Sequence, residues 1–207
     1  MKATGNKNIN TKEYWDGIYG SPDKRHDYAT HGTSIAVQEG TATARFTTAL
    51  KEVKNGDKFL DIGCGVGVLT QLVKSTHPEC EVYGVDISSK AIEDNKKENP
   101  TIHYSQGTVN NLSFDNEMFD VIFSGEVLEH LDDPQVLLTE GFRLLKDGGK
   151  MIVTTPLMDS IHSPEHTWFF TQEDVEEFYI KAGFKNIKFV YLPNQEHLMV
   201  IFALGTK

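Results

Sequence analysis

A glycine-rich turn between an apolar strand and an apolar helix constrains this sequence more than any other feature. Residues 59–69 read Phe-Leu-Asp-Ile-Gly-Cys-Gly-Val-Gly-Val-Leu. Phe59, Leu60 and Ile62 have the apolar character of a buried strand, and the apolar residues after the glycines recur at helical spacing. The glycines let the backbone turn sharply and approach a ligand closely. Free N–H groups at the helix N-terminus would then face a carboxylate or a phosphate.

The spacing of the glycines separates two kinds of nucleotide site. A dinucleotide fingerprint requires G-x-G-x-x-G, and the last position of that pattern falls on Val68. The turn instead reads D-x-G-x-G-x-G, with Asp61 two residues before Gly63. A carboxylate at this place would repel a pyrophosphate but would suit an ammonium group. S-adenosylmethionine (SAM) carries an ammonium, a carboxylate and a sulfonium, so its charges match; a tight turn that binds nothing is the alternative.

Length, charge and cysteine content exclude several classes of protein. The 207 residues suit one domain, and no apolar run approaches the ~20 residues of a membrane span. The polar N-terminus lacks the apolar core of a signal peptide. The two cysteines, Cys64 and Cys80, form no disulfide framework, so we expect a cytoplasmic protein. A net charge of −10 with scattered basic residues disfavours a nucleic-acid partner.

Strands and helices alternate along the chain, which predicts an α/β fold with a doubly wound, Rossmann-like sheet of seven strands. The last two strands share a short connector, so we expect a mostly parallel sheet with an antiparallel C-terminal hairpin. The predicted strands are 58–62, 81–86, 101–106, 119–124, 150–155, 184–191 and 197–204. We expect a single domain, with residues 1–56 as an N-terminal helical cap that begins with a flexible tail of about ten residues, and residues 57–207 as the core.

Ligands of such a sheet lie beyond the carboxyl ends of its strands, so the residues that follow each strand are the candidates. Asp86 ends the second strand, where its carboxylate can accept hydrogen bonds from a ribose diol or cap the next helix. Ile87 could lie flat against an adenine ring or pack in the core. Thr108 or nearby backbone N–H groups, after the third strand, could meet the edge of the adenine.

A second informative stretch follows the fourth strand and reads Gly-Glu-Val-Leu-Glu-His-Leu over residues 125–131. If this stretch is helical, Glu126, Glu129 and His130 share one face because their spacing is i, i+3 and i+4. Two carboxylates and an imidazole at the mouth of a sheet can form a general-base cluster or ligate a divalent metal. Exposed carboxylates beside a packed imidazole are the alternative.

Together these motifs resemble the class I (Rossmann-like) SAM-dependent methyltransferases from about Glu13 onward. The resemblance implies SAM as the cofactor and S-adenosylhomocysteine (SAH) as the product. The cofactor-binding residues that it implies are Asp61, Gly63, Gly65, Gly67, Asp86, Ile87, Thr108, Val109 and Ser124. Thr108 departs from the family, in which many members carry an aspartate that reads the adenine amino group.

The Glu-Val-Leu-Glu-His run is similar to that of the ubiquinone-biosynthesis O-methyltransferases and the wider methyltransferase-11 group. This similarity predicts methyl transfer to a small-molecule acceptor at a hydroxyl oxygen. We expect His130 to act as the base, because its ordinary pKa suits neutral pH, and Glu126 to orient it. The acceptor pocket is expected beneath the aromatic segment of Tyr14, Trp15 and Tyr19, residues 25–31 and the 156–170 loop with His162.

The same run also resembles enzymes that 2′-O-methylate the 3′ end of small RNAs with a divalent metal such as Mg²⁺. The metal ligands implied are Glu126, Glu129, His130 and His166. A metal would lower the pKa of the acceptor hydroxyl, and His130 could not then be the base. A non-catalytic SAM-binding partner subunit is a third interpretation, while Val68 and Asp61 disfavour a dehydrogenase. The sequence specifies neither the methyl acceptor nor the oligomeric state.

Overall fold

The computed structural model describes residues 1–6, 9–21, 41–157, 164–193 and 199–207. Its helices in this part of the chain are α1 (Lys12–Gly20), α2 (Thr41–Leu50), α3 (Val68–Thr76), α4 (Ser89–Glu98), α5 (Gln135–Leu144) and α6 (Gln172–Ala182). The strands are β1 (Lys2–Ala3), β2 (Lys58–Ile62), β3 (Glu81–Asp86), β4 (His103–Gln106), β5 (Phe119–Gly125), β6 (Leu145–Pro156), β7 (Trp168–Phe169), β8 (Lys185–Pro193) and β9 (Met199–Thr206). None of the described helices has the length and apolar character needed to cross a bilayer.

The main sheet has seven strands in the order β4-β3-β2-β5-β6-β9-β8. Strands β4, β3, β2, β5 and β6 run parallel, whereas β9 pairs antiparallel with both β6 and β8. The predicted mostly parallel sheet with an antiparallel C-terminal hairpin is therefore confirmed. The chain starts at the centre with β2, moves outward to β4 and returns beside β2 as β5. The topological switch point thus lies between β2 and β5, where ligands of open α/β sheets bind.

Two buried hydrophobic clusters hold the helices against the sheet. Leu60 and Ile62 of β2 belong to one cluster and Phe59 to the other, as expected for alternate residues of a strand covered on both faces. Helices α5 and α6 supply the first cluster, while α2, α3 and α4 supply the second. Because both faces are packed, the carboxyl ends of the central strands form a rigid platform for the site.

The N-terminal residues are more ordered than predicted. Instead of a flexible tail, β1 pairs antiparallel with β7, and the terminal ammonium of Met1 forms an ion pair with Asp174. The hydroxyl of Thr4 and the side-chain amide of Asn6 both donate to the carbonyl of His166, at 2.8 and 3.1 Å. The prediction failed because strands of two residues carry no hydrophobic period and form only through contacts between distant parts of the chain.

Candidate functional site

The glycine turn connects β2 to α3 at the carboxyl end of the central strand. Gly63, Gly65 and Gly67 all have positive φ angles, of 80°, 49° and 75°. A Cβ atom at Gly63 would lie 2.2 Å from Cγ2 of Val127, so both the backbone and the packing exclude a side chain there. Gly67 caps α3 without a side-chain hydrogen bond. The first N–H groups of α3 are therefore suited to a carboxylate of a ligand.

Two buried side chains hold the middle of the glycine turn. The N–H of Gly65 donates to Oδ2 of Asp86 at 2.8 Å, and Nδ2 of Asn95 donates to the carbonyl of Gly65 at 2.8 Å. Oδ1 of Asp86 accepts from the N–H of Ser88 at 2.9 Å, directly before α4. The sequence reasoning missed Asn95, although its spacing of four residues from Ala91 places this polar residue on the buried face of α4.

Asp61 and Asp86 bring two buried carboxyl groups to this turn. They are 4% and 7% exposed. Burial, reinforced by the charge of Asp86, raises the pKa of Asp61 to about 8. Burial also raises the pKa of Asp86, although hydrogen bonds from the N–H groups of Ser88 and Gly65 oppose this effect. An ammonium group at the turn would favour the ionised form of Asp61, so the residues fit the charges of SAM.

The other predicted cofactor residues lie along the same edge of the sheet. Ile87 is half-buried and Thr108 is exposed, so both have surface to offer a ligand. Val109 is only 8% exposed and packs in the first hydrophobic cluster. Ser124 is fully buried, and its hydroxyl donates to the carbonyl of Ile62 at 2.9 Å, which ties β5 to β2. Ile87, Thr108 and Val109 remain predicted adenine neighbours.

Residues 125–131 do not form the helix that would place Glu126, Glu129 and His130 on one face. Strand β5 continues to Gly125, which pairs with Thr154 of β6, and Glu126 adopts a left-handed conformation with a φ of 55°. Only Leu128–His130 form a short 3₁₀ turn. The pairing with β6 extends the strand beyond its apolar run, and this tertiary contact overrides the local helical spacing. Glu126, Glu129 and His130 therefore do not share one helix face.

Glu126 is bound to groups outside the predicted cluster. Its Oε1 pairs with Nη1 of Arg45 in α2 at 3.0 Å and accepts from the hydroxyl of Thr154 at 3.1 Å. The group that orients His130 is Glu165 and not the predicted Glu126. Nδ1 of His130 lies 3.0 Å from the carbonyl oxygen of Glu165. A carbonyl can only accept, so the proton is on Nδ1 and the lone pair of the neutral ring is on Nε2.

Glu129, His130 and His166 come together at the mouth of the sheet. One ligand-type atom of each lies within 4.8 Å of the others, and the two imidazole rings are 5.3 Å apart. Glu129 is 1% exposed. Its Oε2 accepts from the hydroxyl of Thr155 at 2.9 Å, whereas its buried Oε1 has no hydrogen-bond partner among the described residues. Three of the four predicted metal ligands thus converge, and Glu126 stays with Arg45.

Burial shifts the titration of this cluster. Burial and the charge of Glu126 raise the pKa of Glu129. Burial, with a contribution from the neighbouring His166, lowers the pKa of His130 to about 4, against the opposing effect of the Glu165 carbonyl. The expectation that His130 keeps a pKa suited to neutral pH is therefore not met. At neutral pH its ring is uncharged, and it is a weaker base than free imidazole.

Helix α1 lies across both halves of the site. The indole of Trp15 meets the His130 ring edge-on, with centroids 5.5 Å apart. A Cβ atom at Gly65 would lie 2.8 Å from the hydroxyl oxygen of Tyr19. Trp15 and Tyr19 thus lie beside His130 and the glycine turn, and their role as a roof over the acceptor stays a prediction. The other predicted roof residues, 25–31 and His162, lie outside the described residues.

Comparison with known proteins shows which proteins this chain is similar to. Residues 60–153 match the family model described as a methyltransferase domain. The chain is 27% identical to a mitochondrial ubiquinone biosynthesis O-methyltransferase of Candida albicans, over 80% of this chain and 50% of that protein. It is also 27% identical to a ubiquinone/menaquinone biosynthesis C-methyltransferase of Desulfotalea psychrophila, over 79% and 66% of the two chains.

A solved structure with the same fold is phosphoethanolamine N-methyltransferase 2 of Haemonchus contortus in complex with SAM. The TM-score is 0.73 at 17% identity, with 93% of this chain and 60% of that chain covered, so the match shows the fold alone. The chain spans about half the length of the curated relatives it matches. Together these findings confirm the resemblance to the class I SAM-dependent methyltransferases. The relatives methylate both oxygen and carbon, so they do not fix the acceptor atom.

The raised pKa of Asp61 predicts how the stability of the ligand-free protein depends on pH. Between the ordinary Asp value of 3.8 and about 8, the folded state holds a proton that the unfolded state has lost. Raising the pH through this window therefore lowers the free energy of unfolding, by at most ~1.4 kcal/mol per pH unit for one group. Urea unfolding at several pH values should show a shallower decline for Asp61→Asn. Equal slopes for the two proteins would contradict the assignment.

Proposed function

We propose that this chain, which carries a class I SAM-dependent methyltransferase domain, transfers a methyl group to a hydroxyl oxygen of a small molecule. The observation that supports it most is the buried Asp61 beside the glycine turn, because an ammonium group there would favour its ionised form. SAM supplies a methyl group bonded to a sulfonium. The chain supplies binding, orientation and a proton acceptor. We also propose one domain, with residues 1–56 as a helical cap on the core of residues 57–207.

Residues before and after the glycine turn are proposed to bind different groups of the cofactor. Asp61 faces the ammonium group, and the N–H groups at the start of α3 face the carboxylate. Each carboxylate oxygen of Asp86 accepts one backbone N–H and keeps a lone pair for a ribose hydroxyl. The remaining proposed cofactor contacts are Gly63, Gly65, Gly67, Ile87, Thr108, Val109 and Ser124.

His130 is the proposed proton acceptor, through the lone pair on Nε2. Its pKa of about 4 keeps the ring neutral and so able to accept a proton, but makes it a weak base. A phenolic hydroxyl, with a pKa of ~10, loses its proton far more easily than an alcohol does. A phenol is therefore the acceptor class that this residue suits best. Glu126, paired with Arg45, contributes charge near the ring rather than a direct contact.

His130→Ala should lower the turnover of a phenolic acceptor by about 10² or more, the usual contribution of a general base. The measurement is transfer of label from SAM in a screen of small phenols, sugars and RNA ends. Binding of SAH should change little, since His130 is not among the proposed cofactor contacts. His103→Ala is the matched control, because His103 is exposed at the amino end of β4. Turnover by His130→Ala equal to that of the control would exclude His130 as the base.

A metal-dependent transfer is the second candidate, and it is favoured by Oε1 of Glu129, which lacks a partner in the described part of the chain. A buried carboxylate oxygen beside two imidazoles is a donor set that a divalent cation accepts. Adjacent ligands about 2.1 Å from an ion lie roughly 3 Å apart, so these side chains would have to move closer than 4.8 Å. Glu129, His130 and His166 would hold the ion, whose chemistry is to lower the pKa of the acceptor hydroxyl.

Variants separate this second candidate from the first. If a cation binds, calorimetry with Mn²⁺ should detect it in the wild-type protein and in Glu126→Gln. The His166→Ala protein should bind it at least about tenfold more weakly, because a ligand is lost. EDTA should abolish methyl transfer in the same preparation. Methyl transfer that is unaffected by EDTA would exclude a metal-dependent reaction. Unchanged Mn²⁺ binding by His166→Ala would exclude this cluster as the metal site.

A further inference from the structure

Asp16 of α1 makes four polar contacts, three of them with the start of α4. Its Oδ1 accepts from the hydroxyl of Ser88 at 2.7 Å and from the N–H of Lys90 at 3.0 Å. Its Oδ2 accepts from the hydroxyl of Ser89 at 3.0 Å and from the ammonium of Lys12. A carboxylate is favoured here because the N-terminus of a helix carries partial positive charge and unsatisfied N–H groups.

These contacts lie directly beside the proposed ribose-binding group. Ser88, which donates to Asp16 through its hydroxyl, donates to Asp86 through its backbone N–H. Burial tends to raise the pKa of Asp16, but the hydrogen bonds from Lys12, Lys90, Ser88 and Ser89 hold it well below the usual range. Asp16 is therefore ionised at neutral pH, and α1 is attached to α4 by a charged group.

The same helix carries three further side chains that are buried or contact the site. Ile18 is 6% exposed and anchors α1 to the protein. Tyr19 reaches the glycine turn at Gly65, and Trp15 stacks on Tyr19 with ring centroids 6.1 Å apart. Since Trp15 also meets His130, a shift of α1 would move groups at both the cofactor side and the acceptor side.

We propose that Asp16 is a positioning residue for the cofactor: it latches α1 onto the N-terminus of α4 and so holds Tyr19 and Trp15 over the SAM site. The proposal rests on the proposed function, because it takes SAM as the ligand at the glycine turn. The latch acts through α1 and not by touching the cofactor. Its loss should therefore release α1 while leaving the glycine turn, Asp61 and Asp86 in place.

The test compares the wild-type chain with Asp16→Ala by calorimetry with SAH. Asp16→Ala should bind SAH about tenfold more weakly, a change that corresponds to about 1.4 kcal/mol. Glu13→Ala is the matched control, because it removes an exposed charge from the same helix. The control should bind SAH as the wild-type chain does.

Tryptophan fluorescence supplies a readout that a purely structural cap would not move. The chain has two tryptophans, so a Trp168→Phe background leaves Trp15 as the reporter. In that background Asp16→Ala should shift the emission of Trp15 to longer wavelength, because the indole leaves the His130 and Tyr19 rings for water. Ser89→Ala, which removes one donor to the same carboxylate, should cause a smaller shift and add nothing to Asp16→Ala.

Two outcomes would overturn the proposal. One of them would also overturn the proposed function, and the other would not. If the wild-type chain binds no SAH, the proposed function fails and the latch fails with it. If SAH binds equally to the wild-type chain and Asp16→Ala, with unchanged Trp15 emission, the latch alone fails. A lower unfolding temperature together with that second outcome would identify Asp16 as no more than a cap of α4.

Discussion

A buried carboxyl group at the end of the central strand is the constraint on which the site depends. Asp61 is buried because β2 lies between β3 and β5 and is covered on both faces. An apolar residue would fill this place at no electrostatic cost, whereas a carboxylate loses its hydration. A cationic ligand in the site would offset this electrostatic cost by pairing with the carboxylate. The glycines, Asp86 and Asn95 then serve to bring the backbone and that ligand together.

The proposed acceptor side of the site also contains buried polar groups, Glu129 and His166. Glu129 and His130 are held in a short turn after β5, and His166 reaches them from the segment before β7. The N-terminal residues fix that segment: β1 pairs with β7, and the side chain of Asn10 donates to the Glu165 carbonyl at 2.8 Å. One continuous stretch of chain thus supports the histidine cluster and, through α1, covers the glycine turn. The N-terminal residues therefore contact both the histidine cluster and the glycine turn.

Local pattern was sufficient to predict the sheet and the glycine turn. The strand over residues 58–62 and the glycine turn after it were predictable because the apolar run, the glycines and Asp61 are contiguous. The contacts of Asp16 were not predictable, since they form only when α1 meets α4. The spacing of Asn95 indicates a buried position, but its contact with the turn depends on where α4 packs. The helical reading of residues 125–131 failed for the same reason, because the partner strand β6 decides where β5 ends. The pKa of His130 likewise depends on burial, which its sequence neighbours do not reveal.

We propose that Asp61, protonated in the ligand-free site, becomes an ionised partner for the ammonium group of the cofactor. Calorimetry of SAH binding at neutral pH, in two buffers with different ionisation enthalpies, tests it most directly. Because the pKa of Asp61 in the ligand-free site is about 8, binding should release close to one proton, and the apparent enthalpy should differ between the buffers. The difference should disappear in Asp61→Asn. Binding without proton release, or the same release from Asp61→Asn, would contradict the account.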